Sequence, residues 1–145
     1  MQPLPHHYSV AARATSEGSV ELTAAGLPPI ESAPPADYGG PGDRWSPESL
    51  LMAAVADCFA LTFRGIARAS KLAWTSLDCH AEGTLDRVEH QTRFTAIRIV
   101  AELTLPAGSD PETGRRLLAK AEKTCLVTAS LDLTVDLDSK ITVCD

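Results

Sequence analysis

SPESLLMAAVADCFALTFRGIARASK, Ser46 to Lys71, is the stretch that decides how this chain folds. Ser46 suits a helix N-cap, because its hydroxyl can accept from an orphan N–H of the first turn. Pro47 fits the next position, where its ring presets φ and no N–H is missed. Glu48 follows in the first turn, where the helix dipole favours a carboxylate. Leu50, Leu51, Ala53, Ala54, Val55, Phe59, Leu61, Phe63 and Ile66 then leave little polar face, a pattern that predicts a buried central helix. Arg64, Arg68 and Lys71 suit its C-terminal turns. Cys58 falls near the middle, so the helix expected at the core carries a thiol.

Outward from this helix the chain reads as strands in pairs. Residues 8–25 give two strands about a Ser16-Glu17-Gly18 turn. Residues 26–43 are dense in Pro and Gly, a long irregular connection with a short strand at Leu27–Ile30. Such loops are more often functional than decorative. Beyond the helix, residues 74–85 and 92–105 form a second strand pair joined by a polar link. Ser109 or Asp110 caps a helix that runs to about Lys123. After an irregular point at Thr124-Cys125 and a short apolar piece, a last strand runs from Leu131 to Val143. The order β-β-(β)-α-β-β-α-β, with antiparallel links, predicts an α+β fold. Length fits a single domain over residues 1–145.

Composition narrows the function. A net charge of −6 argues against sequence-independent nucleic-acid binding and against anionic membranes. The first ten residues carry no secretory pattern, so a reducing, cytoplasmic compartment is expected. The apolar run from Leu50 to Phe63 is about 14 residues, short of the roughly 20 a membrane span needs. No Gly-rich phosphate loop is present. Cys58, Cys79, Cys125 and Cys144 form no C-x-x-C pair and do not suggest a structural disulfide framework. With His6, His7, His80 and His90 they show no metal-ligand spacing.

The chemistry therefore turns on the cysteines. A lone core cysteine is commonly a small hydrophobe. Mid-helix, Cys58 has no N-terminus of its own helix to lower its pKa, so activation calls for a cation. Glu48 lies ten residues earlier and projects within roughly 80° of Cys58, but about 15 Å away along the axis. A guanidinium held by Glu48 and offered to the Cys58 sulfur bridges that gap. Arg13, in the first hairpin, is the first candidate and Arg44, just before the helix, the second. Asp57 projects about 100° away from Cys58, and Cys79 and Cys144 read as inert.

Two segments carry a resemblance. PESLLMAAVADCF resembles the motif of the OsmC/Ohr family, the osmotically inducible and organic hydroperoxide resistance proteins, and CLVTASL resembles that family's second-cysteine motif. Departures stand at Leu126, where proline is usual, at Trp45-Ser46 in place of Thr-Asn, at Asp57 in place of a small residue, and in the turn around Arg13. The resemblance implies an intertwined homodimer with antiparallel sheets about two central helices. It also implies a thiol peroxidase site with Cys58 as the peroxidatic cysteine, Cys125 the resolving one, Glu48 the orienting glutamate and Arg13 the arginine. The expected activity is reduction of organic hydroperoxides without metal or organic cofactor, reset by an external dithiol. Leu51, Val55, Phe59 and Tyr38 are the expected substrate walls. The residues leave a second reading open, a small-molecule or acyl-chain binding dimer whose cysteines are packing, and behind it a redox sensor of another protein.

Overall fold

Ser46 caps the first helix as the sequence predicts. Its hydroxyl accepts from the Ser49 N–H at 3.1 Å, while the Ser49 hydroxyl accepts from the Ser46 N–H at 2.8 Å. This reciprocal pair has the logic of a capping box, with serine in place of the usual glutamate. Helix α1 then runs Pro47–Ala69. It ends in a Schellman motif: Leu72 N–H donates to the Ala67 carbonyl at 2.9 Å and Lys71 N–H to that of Arg68 at 3.1 Å, with Lys71 at φ 55°. The computed structural model describes residues 2–145, and the chain divides into two compact units, one up to Leu51 and one from Met52 to Asp145.

The first unit holds three short antiparallel strands, β1 (Ala11–Arg13), β2 (Val20–Thr23) and β3 (Ile30–Ser32), in that order across the sheet. The third begins where the sequence expected it to end. The Pro/Gly stretch after it is organised by a single 3₁₀ turn at Ala36–Tyr38. Its return is tight: a Cβ at Gly40 would collide with the Pro34 carbonyl, so only glycine fits this approach.

In the second unit, β4 (Ser76–Val88) and β5 (Gln91–Leu105) form a long hairpin. Its loop is only Glu89-His90, both at positive φ (49° and 68°), the geometry of a primed two-residue turn. The strands therefore run further into the polar link than their hydrophobic pattern reaches. Next comes α2 (Pro111–Thr124), capped by Asp110, whose carboxylate accepts from the Glu112 and Thr113 N–H groups at 3.1 Å each. A four-residue helix, α3 (Leu126–Ala129), and strand β6 (Thr134–Val143) complete the chain. β6 pairs with β5 in parallel, so the second sheet, ordered β4-β5-β6, is mixed and not wholly antiparallel. The cause is the α2–α3 crossover, which returns the chain to the same end of the sheet before β6 begins.

One face of this sheet is apolar. Ile97, Ile99, Ala101, Leu103 and Leu105 of β5 are buried, flanked by Leu77, Cys79 and Ala81 of β4 and by Val135, Leu137 and Ile141 of β6. From α2, Leu117, Leu118 and Ala121 join this core, and Gly114 sits so close that an added Cβ would fall 3.0 Å from a Leu103 methyl. From α1, Val55, Phe59, Phe63 and Ala67 join it, spaced by four on one stripe. The opposite sheet face is charged, with Arg98 paired to Asp138 at 2.8 Å.

Only that stripe of α1 is buried. The expectation of a helix buried nearly all round does not hold for the single chain: Leu50, Leu51, Met52 and Ile66 are partly exposed, and Leu61 is 50% exposed. One sheet can cover only one face of a helix. The helix also exceeds the apolar run that the sequence marked out: at 23 residues it is long and apolar enough, by length and composition, to cross a membrane, with 22% of its most apolar stretch buried.

Candidate active site

Cys58 lies on α1 beside the buried stripe, and its partly exposed sulfur is turned toward α3 rather than into the sheet core. Its hydrogen-bonding contact is the Thr62 hydroxyl, one helical turn on, at 3.9 Å. The Val127 and Leu126 backbone and the Cys125 side chain also favour its anion. Partial burial pushes the thiol up, as loss of water disfavours the anion. These surroundings outweigh burial, and the Cys58 pKa falls below its ordinary 9.0.

That backbone is placed by the corner at Cys125. This residue is at once the C-cap of α2 and the N-cap of α3, in extended geometry (φ −66°, ψ 119°). The first amides of any helix lack an intrahelical carbonyl, and the Cys125 side chain makes no capping bond to those of α3. Those amides are thus available to a sulfur. Cys125 itself is 1% exposed, and both thiols are free. Two cysteines far apart in sequence are thereby brought near enough for the Cys125 side chain to bear on the Cys58 pKa.

What lowers the pKa of Cys58 is the Val127 backbone first, then the Cys125 side chain, the Thr62 hydroxyl and the Leu126 backbone. Sequence reasoning missed Thr62, whose i, i+4 spacing from Cys58 was a usable signal. It also missed the Leu126 and Val127 amides, which no side-chain pattern announces.

In the first unit, Glu48 borders a cavity of about 360 Å³ with Val20, Ser32, Ala33, Pro34, Pro35, Tyr38 and Pro47. Its Oε2 is buried with no hydrogen-bond partner among the described residues. Arg44 is engaged elsewhere, with Glu31 at 3.1 Å and Asp43 at 3.2 Å. Arg13 is exposed on β1, opposite Glu21 in the strand register. Of the expected substrate walls, Tyr38 lines the Glu48 cavity and Leu51 is half-buried. Val55 and Phe59 are fully buried in the sheet core. Asp57 is exposed. Cys79 is pushed up to about 11 by burial and by the neighbouring Asp78 charge, and Cys144 is exposed at the end of β6.

Comparison with known proteins fits this architecture. Residues 40–140 match the family described as OsmC-like protein. Peroxiredoxin OsmC of Escherichia coli is 30% identical over 96 residues, 66% of each chain, so the match spans just under two thirds of that relative. Among solved structures, an OsmC-like protein of unknown function from Vibrio cholerae is similar with a TM-score of 0.82 at 17% identity, covering 95% of this chain and 100% of that one. An organic hydroperoxide resistance protein OsmC from Legionella pneumophila has a TM-score of 0.75 at 24% identity, covering 97% and 99%. With the family matched across most of its length and the same fold in its structural neighbours, the chain belongs to the OsmC-like protein family.

Proposed function

We propose that this protein is a cysteine-based peroxidase that reduces organic hydroperoxides to alcohols. The observation that carries the reading is the partly exposed Cys58 sulfur beside the Thr62 hydroxyl at 3.9 Å, its pKa lowered by surroundings that include the thiol of Cys125. A lowered pKa on a partly exposed thiol is the property that makes a cysteine a nucleophile rather than packing. The E. coli relative is named a peroxiredoxin and the Legionella structure an organic hydroperoxide resistance protein, which supports the same chemistry.

The Cys58 thiolate attacks the distal oxygen of ROOH. A sulfur–oxygen bond forms and the O–O bond breaks; the alkoxide leaves with the second oxygen and takes a proton to become ROH. Cys58 becomes a sulfenic acid. The Cys125 thiol then condenses with it, forming the Cys58–Cys125 disulfide and releasing water. An external dithiol supplies the two electrons that restore both thiols. No metal or organic cofactor enters these steps.

Glu48 and Arg13 complete the site in this reading. The unpartnered Glu48 oxygen supports it, because a buried carboxylate without a donor is costly and an arginine is its natural partner. Tyr38 and Leu51 serve as substrate walls; Val55 and Phe59, expected as walls too, are fully buried in the sheet core and act as packing. The working form is a homodimer: the apolar α1 surface left uncovered in one chain supports burial against a second copy. The compartment is the cytoplasm.

Peroxide consumption by the cysteine variants tests this. Cys58→Ser is expected to abolish turnover of an alkyl hydroperoxide. Cys125→Ser is expected to retain one stoichiometric oxidation and no steady turnover. Undiminished consumption by Cys58→Ser would leave a ligand-binding protein with packing cysteines as the better account.

A further inference from the structure

We propose that the Thr62 hydroxyl is a catalytic donor: across one turn of α1 it hydrogen-bonds the Cys58 thiolate and steadies the charge on the reacting atom. The inference rests on the reading of Cys58 as the reacting thiol and adds a side chain to that site.

Three observations carry it. First, Thr62 stands four residues after Cys58 on α1, so the two side chains share one face of the helix. The hydroxyl oxygen lies 3.9 Å from the sulfur, and both side chains are half-buried, which limits competition from water. Second, this hydroxyl is not turned to the backbone. A helical threonine can donate to the carbonyl three or four residues earlier. Thr124 does so to the Lys120 carbonyl at 2.9 Å, and Thr128 to that of Cys125 at 3.3 Å. For Thr62 the carbonyl four residues back belongs to Cys58 itself. Among the described residues, the partner of its hydroxyl is instead the Cys58 sulfur. Third, neither helix formation nor packing accounts for a threonine here. It is a poorer helix former than the alanines around it, and it lies outside the buried stripe of Val55, Phe59, Phe63 and Ala67.

The charge on the sulfur fixes the direction of the bond. A neutral thiol and a hydroxyl can each donate to the other. Once the sulfur has lost its proton to water, the hydroxyl is the one donor left in the pair. The contact therefore favours the anion over the neutral thiol. The other groups that bear on the sulfur are the Val127 backbone, the Cys125 side chain and the Leu126 backbone. Cys125 is the titratable one among them, and the adjacent Asp57 is exposed on α1.

The hydroxyl can be removed with little disturbance. Valine has the shape of threonine without the donor, and alanine is the stronger helix former. Serine keeps the hydroxyl and loses the methyl.

The test is the pH profile of Cys58 alkylation by iodoacetamide, mapped to that residue by mass spectrometry. In Thr62→Val the Cys58 pKa is expected to rise by about one unit, in keeping with loss of one hydrogen bond to a charged group. At pH values below both pKa values, alkylation then slows about tenfold. Thr62→Ala is expected to match Thr62→Val, and Thr62→Ser to stay close to the wild-type profile. An unchanged profile in a folded Thr62→Val or Thr62→Ala protein, or a shift in Thr62→Ser as large as theirs, overturns the proposal. The readout uses no peroxide. The donor can thus fail while Cys58 still turns over substrate, and it can stand while Cys58→Ser leaves turnover intact.

Discussion

Cys58 gains nothing from the dipole of the helix that carries it, since a mid-helix residue sits far from either end. Its environment is made instead by what the α2–α3 corner brings to it, and the contrast with Cys79 isolates that cause. Both thiols are partly buried, yet one falls below the ordinary value and the other climbs to about 11. Cys58 meets donors; Cys79 meets burial and the charge of Asp78. Alkylation at neutral pH is accordingly expected to be faster at Cys58 than at Cys79, read by peptide mapping over a time course. Cys79 also makes an alkaline prediction. In the unfolded chain it ionises from its ordinary 9.0, while in the fold it stays neutral to about 11. Its contribution to stability is therefore full below pH 9.0 and is lost as pH rises toward about 11. In Cys79→Ala, urea midpoints measured across that window should fall less steeply than in wild type. Equal slopes in the two proteins would count against the assignment. Cys58 and Cys125 were legible as candidates from their motifs, and Glu48 from its spacing to Cys58. Thr62 was not, although its i, i+4 spacing sets its hydroxyl beside the thiol at 3.9 Å.

At the scale of elements, the helix capped by Ser46 and the hairpin of β4 and β5 follow from signals written in order along the chain. The stripe Val55, Phe59, Phe63 and Ala67 repeats every four residues and finds the apolar face of the mixed sheet. Phe63 also meets Trp74 edge-on at 5.5 Å, beyond simple burial. Phe59→Ala is expected to destabilise by about 3–5 kcal/mol, the range for deleting a fully buried aromatic ring. Urea unfolding measures it, and a loss below 1 kcal/mol (the level of an exposed position) would contradict the core assignment. The parallel pairing of β5 with β6 was less legible. Alternation in Leu133, Val135 and Leu137 identifies a strand and its inner face but carries no direction. Direction comes from the crossover, which is a property of α2 and α3 taken together. The Glu89-His90 turn was hidden for a related reason: positive φ at non-glycine residues is imposed by the hairpin's register and not by residue choice.

At the scale of the whole molecule, the unmet demand is the outward surface of α1. An apolar helix with one buried stripe is incomplete as a soluble structure, and a second copy of the chain is the cover proposed here. Light scattering on the purified protein is expected to give about twice the 15.4 kDa chain mass. Leu61→Lys, placed on the half-exposed part of α1, is expected to shift that toward monomer. A monomeric wild type would contradict the assembly and leave the helix surface unexplained. Sequence signalled this surface as hydrophobicity all round the helix, but one chain holds too little sheet to cover it, and the proposed second copy would supply the cover. The central claim is narrower and is tested by a single mass measurement. Reduced protein treated with one equivalent of tert-butyl hydroperoxide and digested without reductant should lose about two mass units and yield a linked pair of peptides containing Cys58 and Cys125. Both thiols recovered free, or oxidation confined to Cys144, would contradict it.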